Sequence, residues 1–283
     1  MKRIYCTLFN MYYAAKAVAM MDSLKKHSSS EILMYALAMD DDTFIFLTKL
    51  MKDRPWVIPL HRREITSHWR ENKIRQRTIE YQCFSYTSLL LSRVMRRVGQ
   101  PEVTYLDADM FFFSDPETAF REIGEKEVAI VPHRFPEHDR ARLEPNGIFN
   151  VSWVTFRDTW QANYVLEKWA SQCITKCDAE SVGDQKYLDQ WPDFLKEKLH
   201  IFDGASVGLG PWTAYTDEIG PGPSVNGKPL IVYHFHAHHR NGVTDTTERG
   251  RTGGYPVTAA QAAYIYEPYE KQLSDTQRYL ESL

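Results

Sequence analysis

Val103-Thr104-Tyr105-Leu106-Asp107-Ala108-Asp109-Met110-Phe111-Phe112-Phe113 is the stretch on which the fold turns. The apolar run before Asp107 reads as a buried strand, and it stops at two aspartates one residue apart. Side chains alternate along a strand, so Asp107 and Asp109 project to one side provided the chain stays extended through Ala108. Two hard carboxylates at the mouth of a sheet suit a divalent cation such as Mg2+ or Mn2+, and that cation can hold a diphosphate the bare carboxylates would repel. Alone, Asp-x-Asp as readily marks a solvated turn or a helix cap. Its setting favours the metal: Ser114-Asp115-Pro116 follows, where Ser114 or Asp115 caps a helix with Pro116 in its first turn.

Outward from this corner, strand-like and helix-like segments alternate. Residues 3–8, 31–38 and 56–60 read as strands, and 12–26 and 42–51 as helices. Residues 79–98 carry a long helical pattern that ends at Gly99, a natural C′ residue. This alternation predicts an α/β fold with a mixed, mainly parallel central sheet and helices on both faces. Further on, 128–131 and 148–156 read as strands, 158–177 as a helix and 184–195 as one or two short helices. Gly and Pro recur over 202–228, so loops dominate there. Residues 230–235 form a last apolar strand, and 257–280 a helix kinked near Pro268. No linker or repeat interrupts the chain, so one domain over 1–283 is expected.

With 283 residues and a formal charge of -3, the chain can bury one large core and has no global pull toward nucleic acid. The basic clusters at 62–63, 70–77 and 93–97 read first as solvated helix faces. No run approaches the ~20 apolar residues of a membrane span, and the N-terminus lacks a signal-peptide pattern, which predicts a cytoplasmic protein. The four cysteines then read as reduced thiols. Cys173 and Cys177 lack the second ligand pair that zinc needs. Asn150-Val151-Ser152 spells a glycosylation sequon that a cytoplasmic protein would not use. The run from Gly222 to Pro229 approaches a P-loop, but Pro229 stands where Ser or Thr would meet the metal, and a strand follows it. No Gly-x-Gly-x-x-Gly follows the first strand, which argues against a dinucleotide cofactor.

Three further polar clusters could complete a pocket. His234-Phe235-His236-Ala237-His238-His239-Arg240 leaves the last strand. One of its imidazoles could join the carboxylates on a metal, the four could form a separate zinc site, or the run could be a polar loop. Asp184 and Gln185 offer an acceptor and an amide to sugar hydroxyls, or Asp184 is a helix cap. Asn150 either enters the pocket or holds a turn.

Together these elements resemble GT-A-type nucleotide-sugar glycosyltransferases, and within them bacterial relatives of glycosyltransferase family eight. The resemblance rests on Asn10-Met11-Tyr12-Tyr13 with the following helix, Tyr105-Leu106-Asp107-Ala108-Asp109-Met110, Phe149-Asn150-Val151, Gly183-Asp184-Gln185 and His234-Phe235. It departs at Ser152 and Trp153, at Ala237 in place of a glycine and at Arg240 in place of a lysine. The resemblance implies a GT-A fold, with residues 1–115 as the nucleotide-binding half and 116–283 completing the metal and acceptor sites. It implies Asp107, Asp109 and His234 as ligands of Mn2+ or Mg2+, and Asp184 and Gln185 at the donor sugar and reaction centre. It assigns Thr7, Tyr12, Asn150 and Arg240 to a nucleoside-diphosphate sugar, UDP-linked by preference. The reaction implied is a retaining transfer to a glycan or lipid-linked acceptor, with peripheral membrane association where the acceptor is lipid-linked.

Two rival enzyme classes fit less well. A haloacid-dehalogenase-type phosphatase usually has Thr or Val where Phe111 stands, and its Asp-x-Asp lies near the N-terminus. A sugar nucleotidyltransferase usually carries a glycine-rich loop after the first strand. A GT-A domain that binds carbohydrate or a partner without catalysis is the non-enzymatic alternative.

Overall fold

The computed structural model describes residues 2–99, 101–178, 183–213, 216–238 and 255–282. Strands β1 (Lys2–Phe9), β2 (Glu31–Ala38), β3 (Val57–His61) and β4 (Glu102–Leu106) are followed by a short β5 (Met110–Phe112), then β6 (Val128–Pro132), β7 (Phe149–Arg157) and β8 (Leu199–Ile201). All but β5 form a seven-stranded sheet in the order β3-β2-β1-β4-β7-β6-β8. Pairing is parallel except on either side of β7, which runs against β4 and β6. The mixed, mainly parallel sheet is therefore as expected.

Helices cover both faces because strand side chains alternate. Cys6 and Leu8 of β1 pack with Leu90 and Val94 of α4 (Ile79–Val98) and with Trp169 of α7 (Trp160–Thr175). Tyr5 and Phe9 face the other way, toward Val18 and Met21 of α1 (Ala14–His27), Leu47 of α2 (Asp41–Leu50) and Phe120 of α5 (Glu117–Ile123). Local signals set the helix ends. Asp40 caps α2 through Thr43 N at 2.7 Å, Asp115 accepts from Glu117 N at 3.0 Å, and Gly99 closes α4 with φ +60°. Arg77 reaches across to finish α7, donating to the carbonyls of Cys173 at 2.6 Å and Ile174 at 2.7 Å.

Several boundaries differ from the sequence reading for identifiable reasons. The first helix is preceded by a 3-10 turn, Met11–Tyr13, anchored by Tyr13 N to Asn10 O at 2.9 Å. Near Pro268 the C-terminal helix changes type: a π-helical turn, Ala262–Tyr266, gives way to the helix Glu267–Glu281, which has proline in its first turn. The near-P-loop is instead a small sheet of β9 (Ile219–Gly220), β10 (Ser224–Val225) and β11 (Lys228–Pro229), turned at Asn226 and Gly227, both with positive φ. Cys177 lies beyond the end of α7 and is buried, as are Cys6 and Cys173. Among the described residues no helix is long and apolar enough to cross a membrane.

Candidate functional site

Strand order reverses between β1 and β4: β2 and β3 extend the sheet one way from β1, and β4 lies on its other side. Such a switch point leaves a crevice at the carboxyl ends of the parallel strands. A cleft of about 640 Å³ opens there, lined by Phe9 and Asn10 from β1 and by Asp107 and Asp109 after β4.

The two aspartates converge through a turn, not through strand alternation. Met110 N reaches back to Asp107 O at 3.4 Å, so the extended chain ends before Ala108. The turn feeds β5, which pairs antiparallel with β12 (Val232–His234) in a register that sets His234 opposite Met110. Phe235 N donates to Asp109 O at 2.8 Å and locks this register. As a result His234 Nε2 lies 3.1 Å from Asp109 Oδ1 and 3.7 Å from Asp107 Oδ2.

Ligand atoms of Asp107, Asp109 and His234 all fall within 4.8 Å of one another. Two carboxylates and an imidazole are a donor set that fits Mn2+ or Mg2+. His234 Nδ1 is buried and meets no protein partner, which leaves Nε2 as the engaged atom. The electrostatics mark the same spot. Burial works against ionising Asp109, but His234, with Lys16 and His236, holds it below the usual carboxylate range. Burial raises Asp107, and the Asp109 charge adds to that. Burial lowers His234, yet the Asp109 charge and hydrogen bond outweigh it and leave it raised. Tyr105 Oη donates to Asp107 Oδ1 at 3.0 Å and orients it.

Asp184 and Gln185 line the same cleft. Asp184 is buried, and its side chain makes no capping hydrogen bond to the 3-10 segment Gln185–Gln190 that follows. Burial, reinforced by the Asp107 charge, pushes its carboxyl up to about 8. Gly183 sets its approach: φ is +68°, and a Cβ there would stand 2.7 Å from the Phe84 ring. Asn150 lies in β7 and not in a turn, and the two ends of its amide are differently engaged. Its Oδ1 accepts from Ser152 N at 3.1 Å, while Nδ2 is buried without a protein partner in a residue that lines the cleft. Buried Asn150 and Ser152 also make the sequon inaccessible, whatever the compartment.

Other expected positions fall elsewhere. Thr7 is fully buried and does not line the cleft, because it lies further back along β1 than Leu8 to Asn10, which meet the opening. Tyr12 is 67% exposed and also off the cleft: the 3-10 turn rotates it outward and Tyr13 inward. His238 packs on Phe235 and Tyr269 and lies 3.4 Å from Glu270, away from the two aspartates. His236 lines the cleft, its ring 5.6 Å from that of His234. His239 and Arg240 lie outside the described residues.

On the opposite wall, sequence reasoning reached only Asn146, in the turn before Asn150, and Tyr255, set among aromatic and basic residues that could cover a donor, meet an acceptor or simply pack a helix. It passed over His133, Phe135, Arg142 and Trp212. His133, Phe135, Arg142 and Asn146 come from the connection between β6 and β7, and Trp212 and Tyr255 from two later segments. Trp212 donates to the His133 carbonyl and packs edge-on against His234 and His236 at 5.6 and 5.7 Å. His133 is buried and pushed down to about 4 by that burial, with Nδ1 2.9 Å from Gly147 O.

No family model matches the chain. Two Bacillus subtilis proteins are similar to it. The uncharacterized protein YfnD is 25% identical over 255 residues, which cover 87% of this chain and 79% of YfnD. The uncharacterized protein YfnF is 24% identical over 299 residues, covering 100% of this chain and 95% of YfnF. Among solved structures, the glycosyltransferase GlyE of Streptococcus pneumoniae TIGR4 superposes with a TM-score of 0.60 at 15% identity. That match covers all of this chain but only 63% of GlyE, so the chain spans less than two thirds of GlyE's length. The galactosyltransferase LgtC, crystallised with donor and acceptor sugar analogs, gives a TM-score of 0.51 at 12% identity over 96% of this chain and 95% of LgtC. The switch-point cleft and these superpositions agree on the architecture: the chain has the GT-A fold shared with nucleotide-sugar glycosyltransferases.

Proposed function

We propose that this protein is a metal-dependent glycosyltransferase that moves a sugar from a nucleoside-diphosphate donor, UDP-linked by preference, to a glycan or lipid-linked acceptor. The observation that carries the reading is the Asp107, Asp109 and His234 triad at the switch-point cleft, with Asp184 and Gln185 in the same opening. Retention of configuration, membership of glycosyltransferase family eight and a cytoplasmic site of action belong to the proposal through the resemblance alone.

The triad would hold Mn2+ or Mg2+, which when bound supplies positive charge against the departing diphosphate. The remaining chemistry belongs to the chain. Asn10 and Tyr13 flank the donor at the end of β1, and the unpartnered Nδ2 of Asn150 is aimed to donate to it. Asp184, with its carboxyl raised to about 8, stays protonated near neutral pH and can donate to a sugar hydroxyl. Gln185 offers an amide oxygen to the anomeric carbon as it gains positive character.

Calorimetric titration with UDP and with GDP, each with Mn2+ and with excess chelator, tests the reading. Metal-dependent binding of one nucleotide, lost in Asp109→Ala while the circular dichroism spectrum is kept, is the expected result. Failure of both nucleotides to bind in the presence of Mn2+ overturns it.

A further inference from the structure

The wall facing Asn10 and Tyr13 carries a feature that donor binding leaves unused. Residues 133–148 connect β6 to β7, and β6 runs parallel to β1, so this connection emerges at the cleft edge of the sheet. It lies across β4 and β7 from the end of β1, with the Asp107, Asp109 and His234 triad between them. Arg142, in this connection, is the only lysine or arginine among the described residues that line the cleft.

Its guanidinium is held in place. The Cζ atom lies 5.3 Å from the Phe135 ring centroid and 5.6 Å from that of Tyr255, and Nη1 donates to the Tyr255 hydroxyl. Cation–π contacts with two rings orient the plane of the guanidinium. One carboxylate, Asp139 Oδ2, lies 3.7 Å from Nη1 in a partly exposed pair one helical turn away. Such a pair is weak and gives way to a better-placed anion.

We propose that Arg142 recognises the acceptor, and that this acceptor is an anionic glycan bearing a carboxylate or a phosphate. Phe135 and Tyr255 supply aromatic surface for a sugar ring beside that charge. The guanidinium fork matches the two oxygens of a carboxylate or phosphate. In the transfer reading the donor diphosphate is met at the triad, which leaves Arg142, on the connection beyond β7, to the second substrate. This inference rests on the transfer reading above and specifies the substrate class of its second half.

Glucose, glucuronate and glucose 6-phosphate share one ring and differ in charge, which makes them suitable probes. Their binding to the full chain with UDP and Mn2+ is measured by ligand-observed NMR, for the native protein and for Arg142→Met. The expected result is about a tenfold preference of the native protein for one or both anionic sugars over glucose, lost in Arg142→Met. Preference for only one of the two names the anion. Equal binding of all three sugars by the native protein, or a preference that survives in Arg142→Met, overturns the proposal. The nucleotide titration in the same samples is read separately. UDP binding without an anion preference defeats only the acceptor assignment, whereas no nucleotide binding defeats the donor reading.

Discussion

Replacing Asp184 by asparagine is expected to stabilise the metal-free protein at alkaline pH while disabling it. The carboxyl is buried, lacks a capping hydrogen bond and feels Asp107 across the cleft. Burial, with that like charge, raises it from 3.8 unfolded to about 8 folded. Between those values the folded state holds a proton that the unfolded chain has released. Stability therefore falls as pH rises through this window, by at most about 1.4 kcal/mol per pH unit. From pH 5 to pH 8 the loss attributable to Asp184 is then up to about 4 kcal/mol, an upper bound because water entering the cleft would reduce it.

Asparagine keeps the shape and cannot ionise. In urea unfolding with chelator present, Asp184→Asn should match the native protein near pH 4 within about 1 kcal/mol and exceed it by roughly 2–4 kcal/mol near pH 8. Donor turnover should fall in the same variant, the usual trade between a strained active-site group and stability. Parallel pH curves, with the variant less stable throughout, would refute the reasoning and make Asp184 an ionised structural cap.

Three further outcomes follow from the geometry. Arg134→Met should cost about 3 kcal/mol in denaturant unfolding. It leaves Asp217, whose side chain is 2% exposed, without the guanidinium that meets both its oxygens at 2.9 Å, with only the neutral donors Asn226 Nδ2 at 2.7 Å and Thr216 Oγ1 at 3.3 Å in compensation. Gly183→Ala should destabilise by about 2 kcal/mol, through its positive φ and the contact with Phe84, and should lower turnover by displacing Asp184; adding Phe84→Ala should recover the steric part only. Gln185→Ala should lower turnover at least about tenfold with nucleotide affinity within about twofold, as the proposed role of this cleft residue at the donor sugar requires; steady-state kinetics alongside calorimetry decides this.

The fold was legible where hydrophobic periodicity was strong. Residues 31–38 and 79–98 read correctly to the residue, as did the closing role of Gly99. Short elements were not legible, because two or three residues carry no period: β8 and the β9 to β11 sheet are of this kind. The acidic corner was found for a partly mistaken reason. Alternation predicts convergence of Asp107 and Asp109 along a strand, yet a turn at Ala108 provides it. Thr7 and Tyr12 lie off the cleft for local reasons: Thr7 sits further back along β1 on the same face as Phe9, and the 3-10 step turns Tyr13 inward in place of Tyr12. Selection among the histidines needed long-range pairing: only the register of β12 on β5 sets His234, and not His238, beside the aspartates.

The unread wall has one topological cause. In a wholly parallel sheet, the connection leaving β6 would cross over to re-enter from the opposite edge, and little of it would remain at the cleft. Here β7 runs antiparallel, so the connection leaves β6 and enters β7 at the same edge. The intervening residues, His133 to Asn146 among them, are therefore retained at the opening, where loops are free to carry function. Asn150 enters the cleft by the same device, because it starts the antiparallel strand at that edge instead of ending a parallel one. Nothing local in 133–148 signals this, since strand direction is a property of the sheet and not of any segment. The antiparallel strand thus turns the one-sided crevice that β1 and β4 would form alone into a two-walled cleft.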